Sequence, residues 1–457
     1  MNAADDYVLA VPDSARRELA RAWLWLGLVS LIGSGVFAVL LVFSRTPYLK
    51  DLFGVADFFH VALVVHVDLS VLVWFVAIAG MVWSINSSAR AMAWGWLALW
   101  GCAAGAALMS LAPFFGGGEP IMANYIPVLN GAVFLGGLLI FGACFGMLVL
   151  RSLVLAPALG IAFDGSGALR FGLNAAAVSA AVALMAFAWS CAVVPATLEG
   201  KAYYEILFWG GGHALQFTWT LLMLVAWIWL IGACGARVQL SPRIALLMFL
   251  LALVCVFVTP YAYLAYGVAT VEHRQLLTWS MRFGGGLAIL PMSLVVLLAL
   301  RPAPGLARET LPLRSALIAS VVLFGVGGVI GIFISGSNVK IPAHYHGSIV
   351  GVTLALMGLV YHLLPQLGYA APAGRLATWQ PALYGAGQLM HILGLVWSGG
   401  YGVQRKVAGA EQVLRTGGEI AGMGLMGLGG GIAIVGGLLF VVVVIRAVRG
   451  GGPGPAP

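Results

Sequence analysis

Long runs of apolar residues, separated by short polar connections, dominate the chain. A helix that crosses a hydrocarbon core about 30 Å thick needs about 20 mainly apolar residues. The stretches that meet this length lie at residues 19–43, 58–83, 91–113, 124–150, 171–195, 205–233, 243–267, 276–300, 313–335, 343–367, 378–400 and 419–446. The pattern therefore predicts an all-α polytopic membrane protein with twelve transmembrane helices.

The same pattern assigns almost the whole chain to one domain. We expect a twelve-helix membrane domain over residues 19–447, with a polar tail at residues 1–18 and a Gly/Pro-rich tail at residues 448–457. Hydrophobic residues make up 62% of the chain and charged residues only 8%, whereas soluble domains carry about 25% charged residues. This composition excludes a water-soluble enzyme and a disordered protein.

The net charge of +8 is explained by membrane topology. Lysine and arginine lie between the apolar runs and do not cluster with stacking aromatic residues, so no nucleic-acid partner is expected. Twelve spans place both termini on one side, and most of the basic residues lie there. Cytoplasmic loops carry an excess of Lys and Arg, which predicts cytoplasmic termini. Because no cleavable signal peptide is evident, the inner membrane of a bacterium is favoured.

Histidines are the main candidates for chemistry inside the membrane. All except His273 fall within or at the ends of the predicted spans. The full set is His60, His66, His213, His273, His344, His346, His362 and His391. A polar ring inside a bilayer is costly, which makes each one a functional candidate, and the alternative is a hydrogen bond to a neighbouring helix. His60 lies near the outer end of its span and is interpreted as an interfacial side chain.

The motif AHYHG indicates which kind of site two of these histidines could form. Residues two apart on a helix differ by about 200°, so His344 and His346 point to opposite faces and cannot both bind one metal ion. They can instead bind two haems, one on each side of the helix, since imidazole is a common axial ligand of haem iron. His66, in ALVVHVDLSVLVWF, is a candidate for the opposite ligand of one of these haems.

A second histidine motif is LFWGGGHALQFTW, which contains His213. The three glycines before this histidine allow a bulky group to approach the backbone closely. That group is either a macrocycle or a neighbouring helix.

Together these residues resemble subunit I of the haem–copper oxidase superfamily, which includes cytochrome c oxidases and nitric oxide reductases. The strongest match is SNVKIPAHYHGSIVGVTLALMGLVYHLLPQLG, at residues 337–368, which is similar to the tenth helix of that family. The resemblance implies that His344 is the proximal ligand of the high-spin haem. It also implies that His66 and His346 hold the low-spin haem. The context of the motif is nearest to the B-type oxidases.

The resemblance extends to two further segments. His213 takes the place of the first copper-ligating histidine on the sixth helix. The segment HILGLVWSGGYGVQRKV, which begins at His391, is similar to the stretch between helices eleven and twelve. There Arg405 and Lys406 match a basic pair that binds haem propionates.

Two departures from the family pattern concern the copper site. The family has an adjacent histidine pair at the end of helix seven. In this sequence the corresponding positions hold Ala265 and Tyr266. His273 is the only histidine nearby. The tyrosine four residues after the first copper ligand is Phe217 here, and Tyr263 or Tyr266 are the alternatives. Since copper needs several nitrogen ligands in a fixed arrangement, we expect the usual copper site to be lost or altered.

The leading hypothesis is a membrane haem protein of respiratory electron transfer, similar to cytochrome c oxidase subunit I. Electrons from a cytochrome c or a partner subunit on the outer side enter the haem of His66 and His346. They pass on to a haem at His344, or that position is vacant. No CuA or CxxCH motif is present, so the electron donor is expected on another chain.

Two alternatives stand beside this hypothesis. An active oxidase or nitric oxide reductase would reduce a small gas, with His213 as a proton donor or as one ligand of an altered metal site completed by Glu272 or His273. A haem-free proton-coupled transporter would use the buried histidines as proton relays, with Asp68 and Arg282 along its path.

Overall fold

The computed structural model describes residues 6–11, 14–48, 58–115, 118–157, 164–236, 238–301, 307–407 and 412–451. The predicted tails at residues 1–18 and 448–457 lie partly outside these ranges. Within them, the structure is all-α apart from one small hairpin, which confirms the predicted fold class. Eleven of the described helices are long and apolar enough to cross a membrane.

The described helices follow one another in the order that the apolar runs predict. They are α1 Ala15–Arg45, α2 Phe59–Asn86, α3 Met92–Phe114, α4 Ala132–Val154, α5 Gly165–Val193, α6 Gly200–Ala233, α7 Pro242–Ala265, α8 Val271–Ala299, α9 Arg308–Ile332, α10 Lys340–Gln366, α11 Gly374–Gly400 and α12 Gly417–Gly450. Helix α11 is long enough to span at 27 residues. Because it carries several polar residues, it is not among the eleven described helices that are both long and apolar enough to cross a membrane.

The fourth span begins later than predicted, at Ala132 instead of residue 124. The residues before it form an antiparallel hairpin of β1 Glu119–Ile121 and β2 Val128–Asn130, in which Pro120 pairs with Leu129. Pro127 lacks a backbone N–H and Gly131 follows the second strand, which favours a turn and a strand over a continuous helix.

The chain divides into two compact units. Unit 1 comprises Met1–Gly27, Leu72–Gly232 and Ala236–Arg301, and unit 2 comprises Leu28–Val71, Ala233–Gly235 and Pro302–Pro457. Unit 1 therefore contains α3 to α8 with the first part of α1 and the second half of α2. Unit 2 contains α9 to α12 with the rest of α1 and the first half of α2.

Helices in unit 1 pack through glycines and buried tryptophans. A Cβ on Gly105 of α3 would lie 2.6 Å from the carbonyl oxygen of Gly137 on α4, so only glycine permits this close approach. The indole of Trp83 is buried and donates a hydrogen bond to the carbonyl of Leu173 on α5 (3.0 Å). At one end of the unit, the buried Arg151 donates to Ser87 Oγ (2.9 Å) and to backbone carbonyls of the following loop.

Unit 2 contains two glycine-rich helix pairs, α9 with α10 and α11 with α12. Gly327 of α9 faces Ser348 of α10, whose backbone nitrogen lies 2.5 Å from the position of a Cβ on Gly327. Gly387 of α11 faces Ala433 of α12 in the same way, again at 2.5 Å from the backbone nitrogen. Such contacts between small residues hold helices together in lipid, where apolar burial alone does not drive association.

Candidate functional site

His66 of α2 is anchored to α1 through its Nδ1 nitrogen. That nitrogen lies 3.0 Å from the carbonyl oxygen of Ser34 and 2.9 Å from its hydroxyl oxygen. A carbonyl can only accept, so Nδ1 carries the proton and Nε2 holds the lone pair. The serine hydroxyl also donates to the carbonyl of His66 (3.2 Å). Metal-binding histidines usually donate their second ring N–H to a carbonyl in this way, because the bond fixes the orientation of the ring.

A similar anchor holds His344 at the start of α10. Its Nδ1 lies 2.8 Å from the carbonyl oxygen of Gly327 on α9, which again leaves the lone pair on Nε2. Gly331, one turn further along α9, makes room for the ring, since a Cβ there would lie 2.7 Å from Nδ1. Both glycines of α9 therefore serve the placement of this one imidazole.

His346 points away from α9 and contacts α11. Its ring lies 4.7 Å from the ring of His391, measured between centroids, with an angle of 55° between the planes. The side chain of Gln388 lies beside it, and His66 and Arg45 are close enough to interact with it electrostatically. The two histidines of AHYHG thus face different neighbouring helices. His391 is anchored in turn by its Nδ1, which donates to the carbonyl of Met426 on α12 (3.0 Å).

Basic groups of unit 2 lie near two of its histidines, His346 and His60. Arg45 is half-buried at the end of α1, and its Nη2 has no hydrogen-bond partner among the described residues. Its Nε donates to Gln412 Oε1 (3.4 Å). Arg405 and Lys406 are half-buried, and the carbonyl of Lys406 accepts a hydrogen bond from Nε2 of His60 (3.0 Å). His60 therefore contacts the segment that carries the predicted propionate-binding pair.

A group with haem chemistry suits this set of residues. The donors include imidazoles whose Nδ1 is held by a carbonyl, and the Nη2 atom of the half-buried Arg45 has no hydrogen-bond partner among the described residues. Haem supplies an iron that binds imidazole ligands, and its propionate carboxylates pair with the guanidinium of arginine. The residues of unit 2 therefore fit a haem.

His213 of unit 1 has a partner on each ring nitrogen. Its Nδ1 donates to the carbonyl of Trp209 one turn earlier on α6 (2.7 Å), and the hydroxyl of Tyr125 donates to its Nε2 (3.0 Å). Tyr125 lies between the two strands of the hairpin, and its ring is 4.9 Å from the imidazole ring. Both ring nitrogens of His213 therefore take part in hydrogen bonds within unit 1.

The three glycines before His213 make room for aromatic side chains. A Cβ on Gly210, Gly211 or Gly212 would collide with Tyr263, Phe187 or Tyr125 respectively. Two bulky groups were expected beside these glycines, a macrocycle or a neighbouring helix. The groups in contact with them are aromatic side chains of neighbouring segments.

His273 is a buried histidine whose ring forms no hydrogen bond with the described residues. It is only 1% exposed, and neither ring nitrogen has a partner among the described residues. Its ring packs edge-on against Tyr263 at 4.7 Å, and the Tyr263 hydroxyl shares a hydrogen bond with Ser190 (2.6 Å). The neighbouring Glu272 and Tyr266 are exposed. Among the described residues, no three His, Cys, Asp or Glu side chains come together as a metal site.

The two residues of the transporter hypothesis lie in wide helical turns. Asp68 is buried in a π-helical turn, Asp68–Val73, and its Oδ2 has no partner in the part of the chain that the structure describes. Arg282 is exposed, in the turn Ser280–Gly284, and its guanidinium lies 5.8 Å from the centre of the Phe283 ring. Arg282 therefore extends outward, as expected for a long cationic side chain near the end of a span.

The hydrogen bond from Tyr125 leads to a testable prediction. In Tyr125→Phe, Nε2 of His213 loses a hydrogen bond between neutral groups, which is worth about 1 kcal/mol. This energy corresponds to about a fivefold increase in the fraction of molecules whose His213 Nε2 is free of a hydrogen bond. Diethylpyrocarbonate acylates an unprotonated ring nitrogen, so we expect His213 to be modified about fivefold faster in this variant. Peptide mass spectrometry measures the rate. Tyr263→Phe is the matched control and should leave it unchanged; equal rates in wild type and Tyr125→Phe would contradict the prediction.

Comparisons with known proteins agree with this architecture. Residues 18–433 match the family described as Cytochrome C and Quinol oxidase polypeptide I. An uncharacterized protein of Rickettsia prowazekii (strain Madrid E) is 29% identical over 502 residues, covering 94% of this chain and 96% of that protein. An uncharacterized protein of Aquifex aeolicus (strain VF5) is 30% identical over 361 residues, covering 79% of this chain and 88% of that protein.

The fold is also shared with a solved protein. The cryo-EM structure of a haem–copper terminal oxidase dimer superposes with a TM-score of 0.73 at 16% identity, covering 98% of this chain and 85% of that chain. The histidine motifs, the helix order and the family match over most of the chain lead to one conclusion. This multi-pass membrane protein belongs to the cytochrome c and quinol oxidase polypeptide I family, that is, to the subunit I proteins of the haem–copper oxidases.

Proposed function

We propose that this protein is a haem-binding electron carrier of a respiratory chain. His66 and His346 would hold a low-spin haem that takes electrons from a cytochrome c or a partner subunit on the outer side, and His344 would hold a high-spin haem. When bound, haem supplies an iron that accepts and releases single electrons.

The observation that carries this proposal is the anchoring of the histidines in unit 2. His66 and His344 each give their Nδ1 proton to a carbonyl of a neighbouring helix, at 3.0 Å and 2.8 Å, and so present the lone pair of Nε2. A histidine that only tied two helices together would need no second histidine nearby. His346 has both His66 and His391 within electrostatic range, which groups three imidazoles in one part of unit 2.

Arginine and lysine side chains support the same proposal. Arg45, Arg405 and Lys406 are half-buried cations in unit 2, suited to the carboxylates of haem propionates. A guanidinium presents a planar set of donors that matches a carboxylate with two parallel hydrogen bonds. We assign the propionate contacts to Arg405 and Lys406 from the family motif, and we add Arg45 from its unpartnered Nη2.

The copper site of the family is altered in this proposal. His213 uses both ring nitrogens in hydrogen bonds, and its neighbour on α6 at the tyrosine position is Phe217. His213 therefore acts as a hydrogen-bonding partner of Tyr125 and not as a metal ligand. We place both termini in the cytoplasm and the protein in a bacterial inner membrane, in contact with lipid, with its redox partner outside.

Absorption spectroscopy of the haem-loaded, full-length protein tests the proposal. We expect the dithionite-reduced wild type to show the narrow α band of a six-coordinate haem with two histidine ligands. His66→Ala should lose this band, because the other histidine of α2, His60, donates its Nε2 proton to the Lys406 carbonyl and does not replace it. The matched control is His362→Ala, which removes a histidine of α10 that is hydrogen-bonded to Gln366 one turn away. A wild type without Soret absorption, or a His66→Ala protein with an unchanged band, would overturn the proposal.

A catalytic role is the second candidate, and His273 favours it. A buried imidazole without any hydrogen bond among the described residues is costly unless a proton, a small molecule or an ion uses it. An oxidase or nitric oxide reductase needs such a group near its substrate as a proton donor. Turnover of O2 or NO by the reduced protein, lost in His273→Gln but kept in His362→Ala, would establish this function over the carrier.

A further inference from the structure

We propose that His391 is an alternative axial ligand, which competes with His346 for one coordination position opposite His66. The inference rests on the proposed function, since it concerns the low-spin haem of that proposal. It adds a residue that neither the His-x-His motif nor the family pattern assigns.

The first observation is the contact between the two rings. The centroids of His346 and His391 are 4.7 Å apart, at an interplanar angle of 55°. Two imidazoles that bind one haem from opposite faces have the macrocycle between them and cannot touch. These two rings touch, so they lie on the same side of any iron that either of them binds. Only one of them can occupy the axial position at a time.

The second observation is how each ring is held. His391 donates from Nδ1 to the carbonyl of Met426 at 3.0 Å, the same arrangement as in His66 and His344. This arrangement leaves the lone pair on Nε2, as in a metal ligand. The side chain of Gln388 lies beside His346, and its Oε1 is buried without a partner among the described residues. The His391 ring is therefore positioned by a backbone carbonyl, whereas the neighbour of the His346 ring on α11 is a side chain, Gln388.

The third observation is the space that α12 leaves for His391. Gly429 and Gly430 lie directly against this part of α11, and a Cβ on Gly430 would lie 3.2 Å from Nδ1 of His391. The ring thus sits in a gap between two helices, with glycine on one side and His346 on the other. A histidine that only bridged α11 and α12 could use the same carbonyl without facing another imidazole.

Three variants of the haem-loaded, full-length protein test the inference by electron paramagnetic resonance of the oxidised state. The wild type and His391→Ala should both show the low-spin signal of two axial histidines. His346→Ala should keep a low-spin signal, with shifted g values, because His391 moves into the vacant position. The double variant His346→Ala/His391→Ala should lose it and show a high-spin signal instead.

The outcomes separate this inference from the proposed function. If the wild type lacks the low-spin signal, the proposed function fails. If the wild type has it and His346→Ala is already as high-spin as the double variant, His391 is no ligand and the inference is overturned.

A further variant separates the loss of a ligand from the loss of the fold. His346→Ala/His391→Asn keeps a donor toward the Met426 carbonyl but offers no imidazole, and we expect it to be high-spin. Added imidazole should restore its low-spin signal, because only the ligand is missing. A low-spin signal in this variant without added imidazole would show that another residue supplies the ligand, and would overturn the inference.

Discussion

Replacing His344 by alanine is expected to abolish carbon monoxide binding to the reduced protein. Carbon monoxide needs a haem with an open axial position, and a haem with a single histidine ligand provides one. The structure holds Nδ1 of His344 against the Gly327 carbonyl, so that Nε2 is the nitrogen that remains for iron. Removal of this imidazole leaves no ligand on that face of α10, so the expected loss is complete and not partial.

The measurement is a carbon monoxide difference spectrum of the dithionite-reduced, purified protein. Wild type and His362→Ala should both show a shifted Soret band, and His344→Ala should show none while it keeps the α band of the low-spin haem. A wild type that does not bind carbon monoxide would mean that His344 holds no haem and that the protein carries electrons through one centre. Binding that survives in His344→Ala would exclude His344 as the proximal ligand.

The apolar runs were sufficient to predict the helices, because a membrane imposes both length and composition on a spanning helix. They were insufficient at residues 124–131, where Ile126, Val128 and Leu129 look like the start of a span but form part of the hairpin. Their apolar side chains are buried in unit 1. Burial inside the protein selects the same apolar residues as a position in a membrane-spanning helix, so the two cannot be told apart by composition. Only Pro127 and Gly131 distinguish the two.

The candidate histidines could be chosen from the sequence, but their partners could not. Each Nδ1 anchor is a backbone carbonyl, of Ser34, Gly327 or Met426, and every residue type has such a carbonyl. No composition or spacing reveals which carbonyl faces a given ring. The contact of His346 with His391 has the same origin, because it depends on how two glycine-rich helices cross.

The partner of His213, Tyr125, also could not be identified from the sequence. Tyr263 and Tyr266 were the expected substitutes for the tyrosine absent at Phe217, because they lie on helix α7 or beside it. The structure pairs His213 with Tyr125 instead, from a segment that the pattern assigned to a helix. The only local signal was Gly212, whose missing side chain admits the Tyr125 ring, and a glycine alone does not identify its partner.

Gly394→Ala is expected to destabilise unit 2. Helices α11 and α12 approach so closely at this position that a Cβ would lie 2.5 Å from the carbonyl oxygen of Gly422, and closer still to the Met426 nitrogen. Both of these atoms belong to the backbone, so no rotamer change relieves the collision and the helices must separate. Overpacking of this kind costs about 1–3 kcal/mol. The same separation pulls the Met426 carbonyl away from His391, one turn before Gly394.

The melting temperature of the purified protein measures this effect, with Gly424→Ala as the matched control. Gly424 lies on α12, and nothing is found within 4 Å of the position of its Cβ. Alanine is the better helix former by about 1 kcal/mol, so the control should be unchanged or slightly more stable. Gly394→Ala has the same gain in helix propensity, yet we expect it to melt at a lower temperature because the collision outweighs that gain. If both variants melted alike, α11 and α12 would not be packed through these glycines, and the position of His391 against His346 would lose its structural basis.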